Sequence, residues 1–475
     1  MSKFNAFLDR KFDLTNKGTN VKTEIVAGLT TFMAMVYILM VNAGMFTDIG
    51  VPYGAMYIVT ALSAIIGTVL IGLLSGLPLA QAPGMGLNAF FVYTMCIGFG
   101  FTYANALVFI LIDGLVFIAL TVTGLREKIF KAIPEDIKKA IPAGIGLFIA
   151  FIGLQNAKLV IPSSSTGVTM GSMNLLGGHA WATLVPLFVV VLGVIAIGAM
   201  SKKNVKGAIL WGILGSGVLY YALLGLGAAF GDASSQAVFA SISFANPFDA
   251  FKEFGEYSFG KVFTEGFNFA PYIEANGATN FILMLITSAL AFCLVDMFDT
   301  LGTLYGACKS GNLLDEKGDV PNLNQAMFAD AVATTTGAIL GTSTVTTFVE
   351  SSAGTAAGGK TALTSYVIAI LFALAMFLSP IAQLIPSCAT ATALIYVGVL
   401  MMNNVREIDW ADPAIALPSF LTIAMMPFTY NISFGIGFGL LAHVIIKVCT
   451  GKAKEISIAT YVLTVIFLAM FLFTH

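Results

Sequence analysis

Charge is what this sequence has least of. Asp, Glu, Lys and Arg make up 10% of its 475 residues, against about a quarter in soluble domains, so no soluble domain long enough to stand alone fits into it. Histidine occurs three times, at His179, His443 and His475. Two of the three are peripheral, which leaves no nucleophile–base pair or metal cluster for a membrane enzyme. The five cysteines (Cys96, Cys293, Cys308, Cys388, Cys449) are scattered. They form no CxxC or Cys/His pattern for a metal or disulfide framework and read as packing residues. The charged N-terminus MSKFNAFLDRKFDLTNKG lacks the apolar core of a cleaved signal, so the first span is expected to direct insertion. A net charge of −2 gives no reason to expect a nucleic-acid partner.

What is abundant is apolar surface and glycine. Hydrophobic residues make up 58% of the chain, and there are 48 glycines, a composition suited to helices that pack through small residues in lipid. Hydrophobic segments fall at about 24–45, 53–75, 78–96, 102–124, 140–156, 181–200 and 206–230. A second series falls at about 279–305, 324–342, 343–359, 361–379, 386–403, 413–428 and 432–449, with one more at 457–474. Most approach the ~20 residues a span needs. With the N-terminus cytoplasmic, 20 of the 23 basic residues lie in inside loops, and only Lys158, Lys252 and Lys261 fall outside. A seven-segment repeat re-enters the membrane from the opposite side, so the two copies are expected to be inverted. The expected domains are a cytoplasmic N-terminus (1–23), a first repeat (24–230), an external acidic loop (231–276), a second repeat (277–449) and a basic loop with the extra apolar segment (450–475). The acidic loop reads as a solvated connector or an interfacial amphipathic piece.

Two segments are broken. LPLAQAPGMGLNAFF in the third and GTSTVTTFVESSAGTAAGGK around the tenth are rich in small and β-branched residues, which suits short extended pieces lined by protein or a cavity. The second holds Glu350, an acid at membrane depth and therefore a candidate pathway residue. Asn88 is its expected counterpart in the first copy. Asp296 and Asp299, three apart on an apolar helix, share a face and resist double ionisation, as a proton-coupling pair would. Ser351 beside Glu350 offers a hydroxyl, and Phe348 or Phe90 an aromatic face for a planar heterocycle. Asp113, Asp330 and His443 read as ties between helices. Residues 354–361, GTAAGGKT, formally match GxxxxGK[ST]. The apolar span that follows excludes the α/β domain a nucleotide site requires, and Lys360 reads as a cytoplasmic anchor.

With QAPGMGLNAFF at 81–91, DMFDTLGTL at 296–304, GTSTVTTFVESSAGTAAGGKT at 341–361 and TNKGTNVKTEIVAGLTTFMAMVYI near the start, the chain resembles the nucleobase/cation symporter-2 family, in its AzgA-like purine permease branch. The resemblance covers nearly the whole chain. It implies an all-α polytopic membrane protein of fourteen core spans in two inverted repeats, with core and gate domains and short antiparallel strands in segments 3 and 10. Segments 5–7 and 12–14 would form the gate. The extra segment 457–474 departs from that count.

The implied function is proton-coupled uptake of hypoxanthine, guanine or adenine by alternating access, with no cofactor beyond the proton and no metal. Substrate binding would fall on Asn88, Asp296, Glu350, Ser351 and Phe348, and proton coupling on Asp296 and Asp299. The expected setting is the inner membrane, with a purine and the lipid bilayer as partners; a homodimer is an assembly this reading allows. The alternatives are a uracil- or xanthine-type nucleobase transporter and a small-anion transporter of the same repeat plan. The acids speak against the anion.

Overall fold

The computed structural model describes residues 3–124, 133–174, 177, 180–242 and 246–473. His179, His475 and Arg126 lie outside them. The described residues are mostly helix, with four short strands among them, β1 (Gln81–Pro83), β2 (Val160–Ser163), β3 (Gly167–Met170) and β4 (Val345–Thr347). Among the described residues ten helices are long and apolar enough to cross a membrane. They correspond to segments 1, 2, 4–8, 11, 12 and 14 of the sequence reading. The remaining four are broken, more polar or shorter. Segments 3 and 10 are a strand followed by a half-helix, Met85–Ala89 and Ser351–Ala356. The ninth, Leu323–Leu340, carries Asp330 and three consecutive threonines, and the thirteenth, Pro413–Thr429, is short.

Local chemistry sets the helix ends. The side chain of Asn20 accepts from the Thr23 N–H to start the first segment, Thr102 and Asn105 form a capping box at the fourth, and Asn431 caps the fourteenth. The first segment is interrupted between Val21–Met35 and Ile38–Thr47, which leaves Tyr37 at the break.

The helices sort into two packed groups. Segments 1–4 interleave with 8–11, and segments 5–7 with 12–14. These are the core and the gate. In the gate the fifth and twelfth helices touch backbone to backbone: a Cβ on Gly398 would lie 2.4 Å from the Gly146 carbonyl, and one on Gly146 2.8 Å from that of Gly398. Only glycine permits this approach. At one end of the gate His443 Nδ1 lies 3.0 Å from Asp136 Oδ2, joining the fourteenth segment to the fifth. The extra helix, Ile458–Phe473, packs on the fourteenth and eighth segments and so bridges the two groups.

Segments 7 and 8 are joined by short helices rather than a bare connector. Pro247–Tyr257 packs on the second segment, where Glu253 accepts the Ala55 N–H at 3.2 Å. Asn105 donates to the Gly266 and Asn268 carbonyls. Strands β2 and β3 form a hairpin between segments 5 and 6; the hydropathy pattern carried no sign of it.

Candidate substrate site

Where the two broken segments meet, β1 pairs antiparallel with β4, Ala82 opposite Thr346. The ladder is extended at both ends, by the Gly84 N–H on the Thr344 carbonyl and the Phe348 N–H on the Ala80 carbonyl, both 3.0 Å. Each strand then turns into its half-helix. Gly84 occupies the cap position of one and Glu350 that of the other. The Gly84 and Phe348 N–H groups make equivalent bonds in the ladder, so its two-fold sets Gly86 opposite Glu350, and Asn88, the expected counterpart, lies two residues further on, inside its half-helix. One copy offers a carboxylate and the other a glycine.

Glu350 is half-buried and accepts a hydrogen bond from the Tyr37 hydroxyl at 2.6 Å. Tyr37 comes from the break in the first segment and is itself 1% exposed. Asp299, also half-buried, completes the cluster. Its Oδ2 is 3.8 Å from where a Gly84 Cβ would stand, and it lies within electrostatic reach of both Glu350 and Tyr37. Asp299, Glu350 and Tyr37 thus form one polar cluster, with Asp299 the member beside Gly84.

Asp296 looks elsewhere. It is fully buried, with Thr300 Oγ1 3.5 Å from its Oδ1. The Thr300 hydroxyl donates to Asp330 Oδ2 at 2.9 Å and lies 2.7 Å from that of Thr346. Gln81 Nε2 donates to Asp330 Oδ1 at 3.1 Å and to Thr347 Oγ1 at 3.2 Å. This buried network ties the eighth and ninth segments to the β1–β4 crossing. Asp296 is thus fully buried beside Thr300, while Asp299, three residues on, is half-buried beside Gly84.

The other expected site residues are mostly engaged in holding the crossing together. Asn88 is fully buried, its Oδ1 accepting from the Ser343 hydroxyl and its Nδ2 donating to the Pro83 carbonyl at 3.4 Å. Ser351 Oγ accepts the Ala80 N–H at 3.0 Å. The Phe348 ring belongs to the apolar core, and Phe90, fully buried, packs on Phe292 with centroids 4.6 Å apart. Tyr37 is the aromatic hydrogen-bonded to Glu350. Asp113 accepts from Thr344 at 3.3 Å, in keeping with a tie between helices.

Residues 22–438 match the model of the Permease family (Xan_ur_permease). The chain belongs to this family. It is 37% identical to the guanine/hypoxanthine permease PbuO of Bacillus subtilis over 96% of this chain and 98% of that one. It is 33% identical to the adenine permease AdeP of Escherichia coli, over 98% and 96% of the two chains. These are permeases and not enzymes. By fold it is similar to the transmembrane domain of a cyanobacterium bicarbonate transporter, BicA, with TM-score 0.58 at 15% identity over 90% of this chain and 97% of that one. The murine anion transporter Slc26a9 gives TM-score 0.58 at 12% identity, over 90% and 68%. At such identities the likeness concerns the fold alone: the inverted-repeat plan.

Sequence reasoning missed Tyr37 and Gln81 altogether and undervalued Asp330. Tyr37 sits in the apolar run MAMVYILM, where nothing in the local pattern announces a helix break.

Proposed function

We propose that this permease takes up purine nucleobases, hypoxanthine, guanine or adenine, in symport with protons by alternating access of the core against the gate. The observation that carries the reading is the clustering of Glu350, Asp299 and Tyr37 where the two broken segments cross. A purine edge presents N–H donors, and half-buried carboxylates accept them. The names of relatives covering nearly the whole chain support the purine class.

The coupling reading changes with the geometry. The sequence suggested a proton held between Asp296 and Asp299. Asp299 lies within electrostatic reach of Glu350, so in this reading the coupling pair is Asp299 with Glu350. Two neighbouring, half-buried carboxylates resist being ionised together. A proton entering with the purine relieves that repulsion, and its departure on the other side releases substrate. In this reading the N-terminus is cytoplasmic in the inner membrane, consistent with the placement of the basic residues.

Reconstituted protein should accumulate radiolabelled hypoxanthine, guanine or adenine when an inward proton gradient is imposed, and E350Q should lose binding. Uptake that ignores the gradient, or that only uracil competes for, sinks the proposal; wild-type affinity in E350Q removes Glu350 from the site.

A further inference from the structure

Two features play no part in this mechanism. One is Glu24, a carboxylate in the first segment with no solvent exposure. The other is GTAAGGKT at 354–361, which has the pattern of a phosphate-cradling turn and no nucleotide-binding domain around it. The fold brings them together. Glu24 Oε1 accepts the Lys360 N–H at 2.9 Å, and Oε2 accepts the N–H groups of Thr361 at 3.3 Å and Thr364 at 3.2 Å and the Thr364 hydroxyl at 2.6 Å. The donors that such a turn offers to an anion are occupied by a side chain of the same protein.

The glycines of the motif have a matching explanation. A Cβ on Gly354 would lie 2.1 Å from Thr31 Oγ1 and 2.8 Å from the Ala27 carbonyl, and one on Gly359 2.9 Å from the Ala27 Cβ. They let the half-helix Ser351–Ala356 and the turn after it lie directly on the first segment. That segment also supplies Tyr37, hydrogen-bonded to Glu350 at the other end of the same half-helix. The first segment therefore grips this unit at both ends.

We propose that Glu24 is a positioning residue for Glu350. Its carboxylate fills an anion cradle built from residues 360–364 and so holds the half-helix on the first segment, with Glu350 within reach of Tyr37 and Asp299. The P-loop-like sequence is an internal socket for this acid. The inference rests on the reading of Glu350 as a substrate-binding group, but part of its test needs no substrate.

Hydrogen exchange on the purified protein is that part. E24A should speed exchange across 351–364 and leave segments 13 and 14 unchanged. In cells, with uptake normalised to protein at the surface, E24A should raise KM about tenfold or more, the size of one lost charge-assisted hydrogen bond, with a smaller change in Vmax. Formate, a small carboxylate able to enter the emptied cradle, should lower that KM again. E24Q retains one acceptor oxygen and should give an intermediate KM; it carries the uptake test if E24A fails to reach the membrane. Unchanged exchange at 351–364 overturns the proposal, as does a wild-type KM in E24A or E24Q. So does a fall in Vmax alone that formate does not relieve. Absence of purine uptake by the wild type would refute the functional reading instead, and the exchange experiment would still decide the role of Glu24.

Discussion

Removing a single oxygen atom tests the site most directly. Tyr37→Phe keeps the ring, which is buried among apolar neighbours, and deletes only the hydroxyl that donates to Glu350 at 2.6 Å. A hydrogen bond to a charged partner contributes about 1.5–3 kcal/mol, which corresponds to roughly 10- to 150-fold in an equilibrium constant. Glu350 is only half-buried, so water in the cleft replaces part of what is lost and the lower end applies. The expected result is a KM for hypoxanthine raised about tenfold, measured as initial uptake normalised to surface protein. Tyr57 provides the control. Its hydroxyl is also buried, but it donates to the Ala375 carbonyl at 3.0 Å, away from the acids. Y57F should lower thermal stability without moving KM. A KM in Y37F within about twofold of wild type, less than even a weak hydrogen bond would give, refutes the claim that Tyr37 orients Glu350 for substrate.

Asp299→Asn removes one of the two charges that the coupling scheme requires. It should leave purine exchange across the membrane measurable while abolishing accumulation driven by a pH gradient, and accumulation that still tracks the gradient would return coupling to another group. Gln81→Ala deletes the donor to both Asp330 and Thr347. Leaving such buried acceptors short of a partner costs about 1–3 kcal/mol, which should appear as a lower Tm in detergent.

Much of the architecture can be read directly from the residues because its causes are local. Apolar length marks spans, basic residues choose a side, and Gly, Pro and Thr clusters mark the breaks at 81–86 and 341–350. Segment boundaries agree within a few residues at most places. The fifth helix is an exception: it begins at Glu135, before Pro142, because the charged residues 135–139 continue the helix beyond the apolar stretch.

The sequence by itself therefore determined that this is a polytopic membrane protein of two inverted repeats, and that its chemistry lies with a few acids at depth. It could not say which acid faces what. Residues three apart on a helix differ by about 60° around its axis, enough to turn Asp299 toward Gly84 and Asp296 toward Thr300. Nor could it join Tyr37 to Glu350 or Glu24 to the turn at 360–364, because these contacts span more than 300 residues. They exist only once the first segment lies against the tenth and eleventh. Glu350 stood out in the sequence because a carboxylate is costly in lipid; its partners did not, because a tyrosine in an apolar helix or an acid near a membrane edge costs nothing unusual until the fold buries it.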